Sequence, residues 1–409
     1  MTSRRQFLTG KFLTGQLPWP AGEPAPFPES GSGPAAEVPG LPTNTIRLSQ
    51  TAMAADFEVI FNPGPAARLQ AASDALAEVA RLEQLLSIYR PSSTLSQLNA
   101  QAAAASPAGI PTDPELFALI ADALALSRDT EGAFDPTATR LVALWRQALR
   151  NSQPPTEAEV ATARAATGFQ QVRLDPARQT VAFTHPQTQL NFNALGKGHA
   201  LDRAGQILDA WFAARGVGSA HAIEAPHAPQ PAQPAGDIPP DDTRLTEAVV
   251  ERATPPEHAW LLHGGYSSLL ARGSLAGVDG WPVGIRHPQF PQQTLATLWL
   301  KNRGLSTSGS GVQFFRHRGR KYGHLIDPRT GWPAEGMLSA TVLAPTAAWA
   351  EALSTAFFVL GVERAQQYCH NHPEIGSLLI ATPEPGQRAV WVACGLTESD
   401  LMFPDFPTS

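Results

Sequence analysis

Hydrophobic positions along this chain switch repeatedly between a two-residue and a 3.6-residue spacing. Phe57-Glu-Val-Ile-Phe61 alternates and predicts a strand. Leu69, Leu76, Val79, Leu82 and Leu86 then fall on one stripe and predict a long amphipathic helix. Asp113 followed by Pro114 pairs an N-cap with proline at the first helical position, so a second helix opens there with Leu116, Ile120 and Leu124 facing inward. The capping box from Thr156 to Glu159 opens a third, shorter helix, and residues 172–175 and 180–184 predict a hairpin across Pro176. Short strands are expected at Trp260, at Trp281, over 294–300 and over 338–343, and helical spacing returns from Ala347 to Leu360. Strands and helices mix without strict alternation, which predicts an α+β fold.

Where the periodicity stops, the composition changes. Residues 1–45 read as a disordered leader, rich in Pro, Gly, Ala and Glu from residue 16, with folding expected to begin near Ile46. One main domain is expected over 46–400, interrupted by a Pro-, Ala- and Gln-rich surface insertion at 224–256 and followed by a tail at 401–409. Arg4-Arg5-Gln6-Phe7-Leu8 resembles a twin-arginine export signal, but the apolar stretch such a signal needs does not follow. A periplasmic or exported location is expected if that signal functions, and a cytoplasmic one otherwise. No apolar run reaches the roughly 18 residues of a membrane-spanning helix, so no integral membrane span is expected.

The 409 residues, 43% hydrophobic, suffice for a substantial core, and a net charge of −6 gives no general attraction to nucleic acid. Cys369 and Cys394 are the two cysteines and lack CxxC spacing, so they read as buried thiols rather than a disulfide framework or a zinc site.

Four segments carry candidate chemistry. Glu351, Ser354 and Thr355 are the polar residues of the apolar stretch 347–360 and share one helix face at i, i+3 and i+4. Oxygen-only ligands of that kind suit a hard cation such as Mg²⁺; a helix end whose Glu reaches water is the plainer reading. Lys197, between Gly196 and Gly198 where a strand is expected to run into a helix, suits a phosphate or diphosphate. The small residues 304–311, with Thr307, Ser308 and Gly309, form either an anion-binding concavity or a Ser/Gly turn. His324 precedes Leu325, Ile326 and an Asp327-Pro328 turn, which holds an imidazole at the rim of a core or else makes a structural corner with Arg329 on the surface.

Together these segments resemble the ApbE-type FAD:protein FMN transferase family. The resemblance rests on Ser87-Ile-Tyr89 with Ser93 to Asn99, on Gly132-Ala-Phe-Asp-Pro-Thr137, on Gly196-Lys197-Gly198 with Asp202-Arg203, on Thr307-Ser308-Gly309, and above all on His324-Leu-Ile-Asp-Pro-Arg-Thr-Gly331. It implies the T-fold-related architecture of that family. It also implies Mg²⁺-dependent transfer of FMN from FAD to a Thr or Ser hydroxyl of a partner flavoprotein, with release of AMP. On this resemblance Glu351 and Thr355, with backbone oxygens near Gly196 and Ser354, hold the metal. His324 is the acid/base, while Lys197, Thr307, Ser308, Gly309, Asp327 and Met53 contact FAD. The chain departs from the family pattern by carrying Glu351 in place of Asp and Tyr266 in place of the acid of Gly-Gly-Asp. Ser310 likewise stands where Asp follows Thr-Ser-Gly. Two alternatives follow from these lost acids: a relative that binds flavin or a partner without transfer, or an FAD pyrophosphatase that uses water as acceptor.

Overall fold

The computed structural model describes residues 12–17, 45–102, 109–216, 258–311, 313–384 and 387–404. The twin-arginine-like stretch, most of the expected leader, the 224–256 insertion and residues 405–409 lie outside them.

The centre of the molecule is a nine-stranded antiparallel sheet. Its order is Phe12–Gln16, Val390–Cys394, Gly376–Ala381, Met337–Ala344, Gly304–Gly309, Ser268–Arg272, Trp260–Gly264, Ala55–Phe61 and Ile46–Ala52. Its central strands are apolar on both faces, and alternate residues enter different cores. Val59 and Phe61 pack with the helices Arg68–Leu86, Gly196–Gly216 and Ala347–Leu360 on one side. Ile60, Leu261, Leu305 and Leu378 pack on the other against a small sheet of Trp281–Arg286, Thr294–Leu300 and Leu401–Met402. Burial on both faces explains why these strands read as nearly continuous apolar runs. A third cluster, around Trp145 and Tyr322, joins helix Thr139–Asn151 to the ribbon of Phe314–His317 and Arg320–Gly323.

The helices expected at Pro114 and at Thr156 are present over Pro114–Asp129 and Glu157–Ala165, with Asp113 and Thr156 as their caps. Leu69 departs from the predicted stripe: it is 39% exposed on the first turn of its helix, and Ala72 takes the inward position. Both ends of the expected domain need correction. Phe12–Gln16, inside the expected leader, is an edge strand paired with Val390–Cys394, and Leu17 is fully buried. Leu401, inside the expected tail, is buried where its strand pairs with Thr297 and Leu298. Both pieces are too short for alternation to register in the sequence, and partners distant along the chain fix them. Cys369 and Cys394 are buried free thiols.

Candidate functional site

Lys197 is delivered by a clamped loop. The Asn99 amide donates to the Leu190 carbonyl at 2.9 Å and accepts from the Leu190 N–H at 2.8 Å. The Thr139 hydroxyl donates to the Gln189 carbonyl at 2.7 Å, and the Asn191 N–H donates to the Pro136 carbonyl at 2.7 Å. No strand runs directly into helix Gly196–Gly216, contrary to expectation; hydrogen bonds to residues elsewhere in the chain supply the rigidity a strand would have given. Asp135, in the Gly132 to Thr137 block, forms a structural corner. It accepts from the Thr137 N–H at 2.8 Å and from the Phe169 N–H at 2.8 Å.

Helix Ala347–Leu360 brings up the carboxylate. Its first amides are satisfied by Asp202 of the neighbouring helix, which accepts from Ala347 N–H at 2.8 Å and Ala348 N–H at 2.9 Å, and by the Thr346 hydroxyl, which accepts from Trp349 N–H at 3.2 Å. Burial raises the Asp202 pKa to about 6, against the two amide bonds that lower it and with the charge of Glu351 adding to the rise. A folded-state value above the ordinary carboxylate range means that the Asp202 contribution to stability is full below that range and is lost as pH rises through about 6. Asp202→Asn therefore gains about 2 kcal/mol on the parent between about pH 4 and about pH 7, read as the change in their unfolding free-energy difference.

Glu351 is 4% exposed. One carboxylate oxygen accepts from the Lys197 ammonium, and the other accepts from the Gly198 N–H at 2.7 Å. The two helix starts touch so closely that a Cβ on Gly198 would overlap the Ala347 carbonyl. Gly198→Ala is accordingly expected to lower stability by about 1–3 kcal/mol in chemical denaturation, because either the Ala347 turn or the Glu351 contact must yield.

Ser354 and Thr355 stand beside Glu351 as the helical spacing predicts. Ser308 Oγ lies 3.0 Å from Ser354 Oγ and 3.3 Å from Thr355 Oγ1, so hydroxyls from the central strand complete the cluster. Of the two readings of residues 304–311, a concavity or a Ser/Gly turn, neither describes Gly304–Gly309. Gly304–Gly309 is a strand paired in register with Met337–Ala344, so its amides belong to a ladder. Alternation turns Thr307 to the opposite face, where its hydroxyl meets Thr341 at 2.8 Å. Ser308 therefore joins the Glu351 cluster through its side chain and Thr307 does not, with Gly309 closing the strand.

His324 follows strand Arg320–Gly323, and its Nδ1 lies 3.2 Å from the Gln313 carbonyl. Water reaches the ring, yet protein atoms crowd it. That crowding holds its pKa below the ordinary histidine value against the Gln313 hydrogen bond, with Arg146 and Lys321 lowering it further. Asp327 is committed locally. It accepts from Arg329 Nε and Nη2, each at 2.9 Å, inside a turn closed by the Gly331 N–H donating to the Asp327 carbonyl at 2.8 Å. Met53 occupies the hairpin tip between Ile46–Ala52 and Ala55–Phe61, in left-handed backbone conformation at φ 50°.

Arg146 and Asn193 carry no sequence signal that singles them out, yet they link the two halves of the site. Both donate to the hydroxyl of Tyr89, Asn193 at 3.4 Å, and Arg146 also lies 5.7 Å from the Tyr89 ring centre. Burial alone raises the Tyr89 pKa, but these donors outweigh it and hold the phenol below its ordinary value. Asn193 sits three residues before Gly196, and the charge of Arg146 is felt at His324. Arg146 follows Trp145 on helix Thr139–Asn151.

Among the described residues no group of three or more His, Cys, Asp or Glu comes together. The Ser354 and Thr355 hydroxyls donate to the Glu351 main-chain carbonyl at 2.9 and 3.4 Å, while the Glu351 carboxylate turns to Lys197 and Gly198. Mg²⁺ is commonly held by one or two carboxylates together with substrate phosphates; here one buried carboxylate, Glu351, stands on the same helix as the Ser354 and Thr355 hydroxyls. Without such a cation, the Lys197 ammonium already balances the Glu351 charge.

This arrangement of two helix starts against an open antiparallel sheet defines an α+β protein with a paired Lys–Glu centre. The ApbE family model matches residues 49–219 and 257–379, more than half of the chain, and the chain belongs to that family. It is 29% identical over 329 residues to the FAD:protein FMN transferase of Treponema pallidum, covering 78% of this chain and 80% of that one. It is 27% identical to the FAD:protein FMN transferase of Haemophilus influenzae, over 73% of this chain and 74% of that one. Among solved structures, the ApbE protein of Thermotoga maritima superimposes with a TM-score of 0.65 at 23% identity, over 84% of this chain and 96% of that chain. That likeness supports the shared fold.

Proposed function

We propose that the chain is a flavin transferase that moves FMN from FAD to a Thr or Ser hydroxyl of a partner flavoprotein, with release of AMP. The carrying observation is the buried Glu351 joined to Lys197 at the start of helix Gly196–Gly216, in a chain whose relatives bear this activity by name. Lys197 and the adjoining helix terminus supply positive potential for the FAD diphosphate. His324, whose pKa is lowered by burial and by the charges of Arg146 and Lys321, takes the proton of the incoming hydroxyl. The hydroxyl oxygen forms a bond to the FMN phosphorus as the bond between that phosphorus and the bridging oxygen breaks, and AMP leaves with the electron pair. Bound with the diphosphate at Glu351, Ser354, Thr355 and the Gly196 carbonyl, Mg²⁺ would supply charge neutralisation.

The reading is tested by incubating the purified chain with FAD, Mg²⁺ and an acceptor flavoprotein, and following covalent flavin and AMP. Engagement of both Glu351 oxygens by Lys197 and Gly198 favours one second reading, a relative that binds flavin without transfer. FAD binding indifferent to EDTA, with no AMP formed, supports that second reading.

A further inference from the structure

The ribbon of Phe314–His317 and Arg320–Gly323 carries Arg316, His317, Arg318, Arg320 and Lys321 immediately before His324, in a chain of net charge −6. One face is fixed to the body of the protein. Phe315 stacks on Tyr322 at 5.1 Å, Tyr322 stacks on Trp145 at 5.7 Å, and the Trp145 Nε1 donates to the Gly331 carbonyl at 2.8 Å. The ribbon is therefore a rigid mount.

Its other face holds Phe314, Arg316 and Lys321. Arg316 and Lys321 are direct cross-strand partners, an arrangement of like charges that costs stability. Lys321 lies 4.3 Å from the Phe314 ring centre, and its pKa is lowered by burial and by the charge of Arg316. Among the described residues, Arg320 is the cation of this ribbon that has an acid partner, Glu335 at 2.9 Å; Arg316, Arg318 and Lys321 form no ion pair. An opposed pair of cations beside an aromatic ring is a local source of instability that a bound anion relieves.

We propose that this outer face docks an acidic segment of the acceptor protein, next to the hydroxyl that receives FMN. The proposal rests on the flavin-transfer reading and names the chemistry of its partner. Charge on the ribbon speeds encounter and sets orientation, while FAD is held separately at Lys197.

The test uses the full chain and a fluorescein-labelled synthetic peptide with one Thr flanked by Asp and Glu, compared with its Asn/Gln counterpart. Fluorescence anisotropy is expected to show the acidic peptide binding at least about tenfold more tightly than the neutral one, with the advantage falling as salt rises. Arg316→Glu is expected to abolish that advantage, to leave FAD affinity measured by flavin fluorescence unchanged, and to keep or raise the melting temperature because Lys321 gains an opposite charge. Equal binding of the two peptides, or an undiminished preference in Arg316→Glu, overturns the proposal. Absence of FAD binding with the peptide preference intact contradicts the flavin reading and leaves the acidic-segment surface supported.

Discussion

Glu351→Ala is expected to reduce flavin transfer by about two to three orders of magnitude, the scale seen when a charge-organising group is removed from a reaction centre. Two partners are stranded at once: the Lys197 ammonium loses its counter-charge and the Gly198 N–H loses its acceptor, whereas the Ser354 and Thr355 hydroxyls bond the Glu351 main-chain carbonyl, which the variant keeps. Because breaking a buried pair strands the remaining charge, the variant is also expected to lose about 2–3 kcal/mol of stability, at or below the low end for buried pairs since Lys197 keeps some contact with water. Glu351→Gln separates the two effects. It preserves an acceptor for Gly198 and recovers much of the stability, but it supplies no charge and stays inactive. Equilibrium unfolding beside AMP release reads both quantities.

His324→Asn carries the second large effect, a fall of about 10²–10⁴-fold in transfer with FAD binding retained, as expected for loss of a general base. The pH profile gives the signature. Crowding and the charges of Arg146 and Lys321 lower the His324 pKa, so the neutral base is the populated form at and above the ordinary histidine value. Activity in the parent therefore rises with pH through a midpoint below about 6.5 and is level at neutral pH. In the folded protein the depressed pKa also means that protonation opposes folding, so stability associated with His324 is lost as pH falls through that midpoint. Arg146→Ala should move the midpoint upward by removing one of the two charges.

Much of this architecture was legible in the sequence because its elements are locally encoded. Asp113 and Thr156 cap their helices where the sequence places them, and the i, i+3, i+4 spacing of Glu351, Ser354 and Thr355 does bring one polar face together. What sequence misplaced depends on partners far along the chain. Residues 304–309 look like a flexible Ser/Gly segment, yet pairing with Met337–Ala344 makes them a strand, and alternation then separates Ser308 from Thr307. The Lys197–Glu351 pair, the Asp202 cap and the Arg146–Tyr89 contact each join residues more than 50 positions apart. No local spacing records such meetings. Asp327 illustrates the reverse case, a conspicuous acid whose oxygens serve the neighbouring Arg329.

The central claim is most directly tested by intact-mass spectrometry of an acceptor flavoprotein incubated with this chain, FAD and Mg²⁺, with AMP measured in the same reaction. One FMN added per acceptor and one AMP per adduct are expected, with neither product from Glu351→Ala. An acceptor of unchanged mass and no AMP, with FAD demonstrably bound to the chain, would contradict it.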